Sequence, residues 1–140
     1  MTTPIAKFRK QMNLLVQHLE TCLPRDKELE KHKMKIETAM KVDPRSTVEV
    51  FINTIRPHAD HILTGNDSYF TDTSNLGIDS DYTKFCDKLK TWWEGFDRAQ
   101  KEPVRRYFKL LLMLGTISIQ DDPLRQVINK YRDPEKPLVF

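Results

Sequence analysis

Glycine and cysteine are scarce in this sequence of 140 residues, which contains four glycines and two cysteines. The glycines do not cluster, so the chain has neither a glycine-rich loop of the kind that cradles phosphates nor a collagen-like repeat. Cys22 and Cys86 stand far apart and outside any CxxC or CxxH pattern. This spacing argues against a disulfide scaffold, and we predict two reduced thiols within helices.

Long hydrophobic runs are absent as well. The longest uninterrupted apolar stretch, residues 110–114, is far shorter than the about 18 residues that a membrane-spanning helix needs. No signal sequence is predicted, because Lys7, Arg9 and Lys10 follow Met1 too closely to leave an apolar segment. The sequence therefore predicts a soluble protein that does not insert into membranes and is not secreted.

Apolar residues recur in steps of three and four along most of the chain, which is typical of amphipathic helices. Asp26 and Asp43 are suitable N-caps, and Pro4 and Pro44 suit the first helical position. The pattern predicts helices over residues 4–23, 27–41, 44–56, 81–94 and 102–116, a further turn or two over residues 58–63, and a short last helix from residue 122. We predict an all-α fold: a single-domain bundle of about five to six helices over residues 1–133 with one long acidic loop, then a proline-containing tail over residues 134–140.

Charge is unevenly distributed, although the formal net charge is only +3. The segment from residue 60 to 81 has five aspartates and no lysine or arginine, and it includes the long loop predicted for residues 66–81. The segment from residue 98 to 109 has five lysines and arginines against one glutamate. These two segments either pair with each other or face separate partners.

Aromatic and acidic residues of the loop and the following helix form a candidate protein interface. Neighbours on a helix point about 100° apart, so Trp92 and Trp93 are not expected to face the same core. We predict that one of them is near the surface, where a large aromatic side chain can anchor a partner. The loop aromatics either attach the loop to the core or contact that partner. The candidate interface residues are Asp67, Tyr69, Phe70, Trp92 and Trp93.

The basic segment is a candidate nucleic-acid interface, because clustered cations bind phosphates. The cations among the first ten residues are expected to add to it, and Tyr107 and Trp93 to supply stacking. In the alternative interpretation, Arg105 and Arg106 pair with the acidic loop and the aromatics belong to the core. The candidate phosphate contacts are Arg98, Lys101, Arg105, Arg106 and Lys109.

Neither a metal site nor a catalytic group is predicted. His58 and His61 have a spacing that can chelate a transition metal, but a full site needs three or four ligands. His18 and His32 stand alone, and neither cysteine has an evident activating base nearby in the sequence. We therefore predict a protein without a cofactor that is not an enzyme.

Several short motifs of this sequence resemble motifs of a known group of proteins. They are Leu23-Pro24-Arg25-Asp26-Lys27, Asp43-Pro44-Arg45, Val48-x-x-Phe51, Arg56-Pro57-His58-Ala59-Asp60-His61-Ile62, Asn66-Asp67-Ser68-Tyr69-Phe70 and Val104-Arg105-Arg106-Tyr107-Phe108-Lys109-Leu110-Leu111. Over roughly residues 8–114, the chain resembles small uncharacterised α-helical proteins encoded by large eukaryotic DNA viruses, such as algal and giant viruses. Related sequences often have tyrosine in place of His58 and a second acidic residue in place of Ser68, which weakens a metal role for His58.

The resemblance implies no activity and no catalytic residues. It implies a viral protein located in the virion or in the host cytoplasm, at the virus factory. Our first prediction is accordingly a viral structural or accessory protein that binds another protein, either viral or a second copy of itself. Nucleic-acid binding through the basic segment is the alternative, and an enzyme is the third choice.

Overall fold

The computed structural model describes residues 3–71 and 81–131, which form helices and contain no β-strand. The elements are α1 (Pro4–Cys22), α2 (Lys27–Val42), α3 (Pro44–Ile55), a 3₁₀ turn (Arg56–His58), α4 (Ala59–Thr64), α5 (Ser68–Thr71), α6 (Asp81–Trp93), α7 (Arg98–Ser118) and α8 (Asp122–Lys130). The predicted all-α class is confirmed. The predicted tail and residues 72–80 of the predicted acidic loop lie outside the described residues.

Caps encoded in the sequence fix most of the helix ends. The side chains of Thr3, Asp26, Asp43 and Asp121 each accept a hydrogen bond from a backbone N–H in the first turn of the helix that follows. Gly65 ends α4 in the left-handed conformation, with φ of 74°, as its position predicted. The predicted helix bounds are therefore close to the observed ones in the first half of the chain.

The structure contains more helices than the predicted five to six. Pro57 follows the end of α3, and the chain passes through the 3₁₀ turn before α4 begins. The short helix α5 lies within the predicted loop and was not predicted. Its first turn is stabilised by the side chain of Asn66, whose Oδ1 accepts the backbone N–H of Ser68 at 2.9 Å.

Helix α7 begins at residue 98, earlier than the predicted residue 102. The side chains of Asp97 and Gln100 form a capping box, which is a strong signal for a helix start. The prediction took Pro103 as the opening residue, but the helix continues through this proline. The additional turn places Arg98 at the N-terminal end of the helix.

Helices α1 and α7 pack against each other in antiparallel orientation. Near one end of the pair, Nε2 of His18 lies 2.8 Å from the carbonyl oxygen of Gln100. Near the other end, Phe8 lies beside Gly115. Residues 111–116 of α7 are all buried, so this segment is the centre of the core, as its apolar run predicted.

At Gly115, α7 lies directly against Ile52 of α3. A Cβ atom added there would lie 2.7 Å from Cγ1 of Ile52, closer than real Cβ contacts come. The absence of a side chain at this position therefore sets the distance between the two helices. None of the helices in the described ranges is long and apolar enough to cross a bilayer.

Candidate functional site

Two candidate interface residues, Tyr69 and Phe70, are core residues in the structure, with 0% and 3% of their surface exposed. The ring of Phe70 stacks on that of Trp93, with centroids 4.2 Å apart and planes inclined by 12°. It also meets the ring of Phe108 edge-on at 5.2 Å. The structure thus corrects their assignment to an exposed interface, because α5 uses both aromatics to attach its segment to the core.

The prediction that one of the two neighbouring tryptophans is near the surface is wrong. Trp92 and Trp93 are 9% and 2% exposed. Both are buried because other helices cover α6 on two sides. The ring of Trp92 faces His32 of α2, at a centroid distance of 6.5 Å, whereas Trp93 packs against Phe70 of α5. Neither tryptophan is available as an exposed anchor.

Asp67, the acidic member of the candidate interface, is paired with Arg105 of α7. The guanidinium donates two hydrogen bonds to the carboxylate, from Nε to Oδ1 at 2.6 Å and from Nη2 to Oδ2 at 2.7 Å. Glu102 accepts a third hydrogen bond from Nη1 of Arg105 at 3.2 Å. The hydrogen bonds from Arg105 hold the pKa of the Asp67 carboxyl below its ordinary value. For Arg105, the alternative interpretation of pairing with the acidic segment is thus the one observed.

Trp93 lies beneath two of the candidate phosphate contacts. The Arg105 guanidinium carbon is 5.3 Å from the indole centroid and Lys101 Nζ is 5.2 Å from it, both within cation–π range. These two cations are half-buried. The sequence predicts that Trp93 supplies a face for stacking on a base. This prediction is wrong, because Trp93 itself is buried.

Arg98, Arg106 and Lys109 differ from the other two cations because they are exposed. None of the three forms an ion pair with a residue in the described parts of the chain. The expected pairing of Arg106 with the acidic segment is not observed among these residues. We call the surface formed by Arg98, Arg106 and Lys109 the basic face.

The N-terminal cations do not lie beside Arg105. Phe8 is next to Gly115, so the start of α1 is opposite the C-terminal part of α7. Ten helical residues separate Gly115 from Arg105, which corresponds to about 15 Å along the axis. The start of α1 is therefore displaced along the axis from Arg105.

The histidine pair whose spacing can chelate a metal lies on the 3₁₀ turn and on α4. The ring centroids of His58 and His61 are 6.1 Å apart, and His58 meets the ring of Tyr69 at 5.1 Å. Within residues 3–71 and 81–131, no three side chains of the His, Cys, Asp and Glu types are grouped as metal ligands.

One thiol–imidazole contact was missed by the sequence analysis. Sγ of Cys22 lies 3.5 Å from Nε2 of His18, and that nitrogen is also 2.8 Å from the carbonyl oxygen of Gln100. A carbonyl only accepts, so Nε2 carries a proton and donates it to Gln100. Burial raises the pKa of the Cys22 thiol, which disfavours the thiolate form that a nucleophile needs. The spacing of four residues in one helix was the signal that could have found it.

A second missed feature is the buried ammonium group of Lys90. Its Nζ lies 4.8 Å from the ring centroid of Tyr69 and has no hydrogen-bond partner in the described parts of the chain.

Cys86, one turn earlier than Lys90 on α6, is fully enclosed, and its burial raises the pKa of the thiol to about 11. This pKa favours the protonated thiol at neutral pH over the thiolate that a nucleophile needs.

A small open cavity lies between α1 and α2. It measures about 150 Å³ and is lined by Asn13, Val16, Gln17, Lys33, Ile36 and Glu37. This volume is below the roughly 300 Å³ at which small-molecule sites usually begin.

Comparisons of the chain with models of protein families, with curated proteins and with solved structures found no match. The arrangement of its own residues is therefore the basis for the function argued below.

Proposed function

We propose that this protein is a non-enzymatic structural or accessory protein of a large DNA virus, as its motifs imply, and that it binds nucleic acid through the basic face. The supporting observation is that Arg98, Arg106 and Lys109 are exposed on one side of α7 without an ion-pair partner among the described residues. Helical geometry places their three Cα positions within an arc of about 80°. A well-packed helix therefore holds the three charges in a fixed arrangement.

The dimensions of the basic face suit an extended polyanion. From residue 98 to residue 109 the helix axis advances about 16 Å. Duplex DNA carries one negative charge per about 1.7 Å of its axis, so that length presents about ten phosphates. Neutralising phosphates with lysine and arginine releases counterions, which gives sequence-independent binding that weakens as salt is added.

Charge reversal on the basic face tests this proposal. We expect Arg106→Glu/Lys109→Glu to reduce the affinity for a short fluorescein-labelled DNA duplex by at least about tenfold at low salt, because two phosphate contacts become repulsive. Fluorescence anisotropy at several salt concentrations measures the change. The matched control is Lys31→Glu/Lys41→Glu, which alters the net charge equally at two exposed positions of α2.

The two pairs of substitutions give separate outcomes. If the control weakens binding as much as the α7 variant, net charge governs the association and the basic face is not the site. If the wild-type protein shows no binding at low salt, the nucleic-acid proposal is wrong.

A protein partner is the second candidate function, supported by the exposed side of α2. Met34 and Val42 are 68% and 80% exposed and are among the most exposed large apolar side chains of the described residues. We expect Met34→Asp/Val42→Asp to disrupt self-association if this side pairs with a second copy. Light scattering after gel filtration measures the mass of both forms, and mass spectrometry of purified virions tests for a structural role. A monomeric wild-type protein that is missing from the particles would contradict this candidate.

A further inference from the structure

The contact between Asp67 and Arg105 has the geometry with which arginine recognises phosphate. Two parallel N–H groups of the guanidinium, on Nε and Nη2, donate to the two oxygens of the carboxylate at 2.6 and 2.7 Å. Arginine presents the same pair of donors to two oxygens of a phosphate group. The carboxylate of Asp67 therefore stands where a phosphate oxygen pair would bind.

Arg105 would otherwise extend the basic face. It follows Arg98 by seven residues and precedes Lys109 by four, so the three Cα positions lie on the same side of α7. Trp93 supports the guanidinium from below at 5.3 Å, which limits its orientations. About a quarter of the Arg105 side chain remains exposed, so an anion can approach it from solvent.

We propose that Asp67 acts as an internal competitor for phosphate at Arg105 and thereby limits nucleic-acid binding by the basic face. The proposal rests on the proposed nucleic-acid function. Bound DNA must either leave Arg105 paired with Asp67 or displace the carboxylate from the same two donors. Removing the Asp67 carboxylate frees the Nε and Nη2 donors, while Glu102 stays on Nη1, and so makes Arg105 available as a fourth phosphate contact.

The salt dependence of DNA affinity measures the number of phosphate contacts that the protein makes. The slope of log K against log salt is about −0.9 for each phosphate neutralised on duplex DNA, so three contacts give about −2.7 and four give about −3.6. We expect the steeper slope for Asp67→Ala and Asp67→Asn, together with tighter binding at low salt. Asp122→Asn, at an exposed residue of α8, changes the net charge equally and is expected to keep the wild-type slope.

A double-mutant cycle isolates the role of Arg105. In the wild-type background, Arg105→Ala is expected to leave the slope unchanged, because Arg105 is already paired. In the Asp67→Ala background, the same substitution is expected to restore the slope of three contacts. An equal effect of Arg105→Ala in both backgrounds would overturn the proposal.

The variants are designed to keep the fold. The backbone carbonyl of Asp67, and not its side chain, accepts the N–H of Phe70 at 2.9 Å, so the turn that begins α5 is retained. Circular dichroism checks the helix content, and Arg105→Ala in the wild-type background provides a test that does not alter Asp67.

Two outcomes would count against the inference. An unchanged slope of log K against log salt in both Asp67 variants, with binding still lost in Arg106→Glu/Lys109→Glu, would overturn this inference and leave the nucleic-acid function standing. Absence of binding by the wild-type protein at low salt would refute the function itself.

Discussion

Replacing Phe70 with alanine is expected to lower the free energy of unfolding by about 3–5 kcal/mol, the range for deleting a buried phenylalanine ring. The ring is stacked on Trp93 and meets Phe108 edge-on, so its removal leaves a cavity where α5, α6 and α7 meet. Domains of this size are usually stable by about 5–15 kcal/mol, so the loss is a large share of the total. Urea denaturation followed by circular dichroism measures it.

The neighbouring residue provides the control for this experiment. Thr71 follows Phe70 in the same short helix and is exposed, so Thr71→Ala is expected to change the stability by less than about 0.5 kcal/mol. Phe70→Leu retains part of the buried volume and should fall between the two. Wild-type stability in Phe70→Ala would mean that the ring is not a core residue and would return it to the candidate protein interface.

Substituting alanine for Gly115 is expected to destabilise the protein by about 1–3 kcal/mol, the usual cost of overpacking a core. Helix propensity alone predicts the opposite sign, because alanine is favoured over glycine inside a helix by about 1 kcal/mol. Packing is expected to dominate because the new Cβ would lie 2.7 Å from Cγ1 of Ile52 and 3.4 Å from the ring of Phe8. Both neighbours are fully buried, so other core residues must shift if either side chain moves away.

Gly95, in the turn between α6 and α7, offers a control without a close packing contact. A Cβ atom there would meet only the carbonyl oxygen of Trp92, at an ordinary distance of 3.6 Å. Thermal unfolding of Gly95→Ala and Gly115→Ala under the same conditions therefore compares an added methyl group that has room with one that is crowded. Equal melting temperatures for the two variants would show that α3 and α7 are not held at contact distance by Gly115.

Local signals predicted the helical framework well. Caps such as Asp26 and Asp43 act within a few residues of their own position, so their effect can be read from the sequence. The error at Trp92 and Trp93 had a different origin. The argument that neighbours point in different directions was correct, but α6 is covered on both sides, and that depends on the packing of distant helices.

The charged residues of the candidate site could be predicted from the sequence, but the ion pairs that they form could not. The sequence showed an acidic and a basic segment and left open whether they pair or face separate partners. Asp67 and Arg105 are 38 residues apart, and only the position of α5 against α7 brings them together. The same packing leaves Arg106, the next residue along the chain, exposed. Tertiary packing, and not the local sequence, therefore determines which of the two arginines is paired with a carboxylate.

The antiparallel pairing of α1 with α7 has a consequence for the synthesis of the chain. His18 and Gln100, which meet near one end of this pair, are separated by 82 residues. At a translation rate of about 5–20 residues per second, α1 waits about 4–16 s before that part of α7 has been made. During this interval its apolar stripe has no native partner on α7. Contacts of such long sequence separation also slow folding, so this helical protein is expected to fold more slowly than bundles whose neighbouring helices follow one another in the chain.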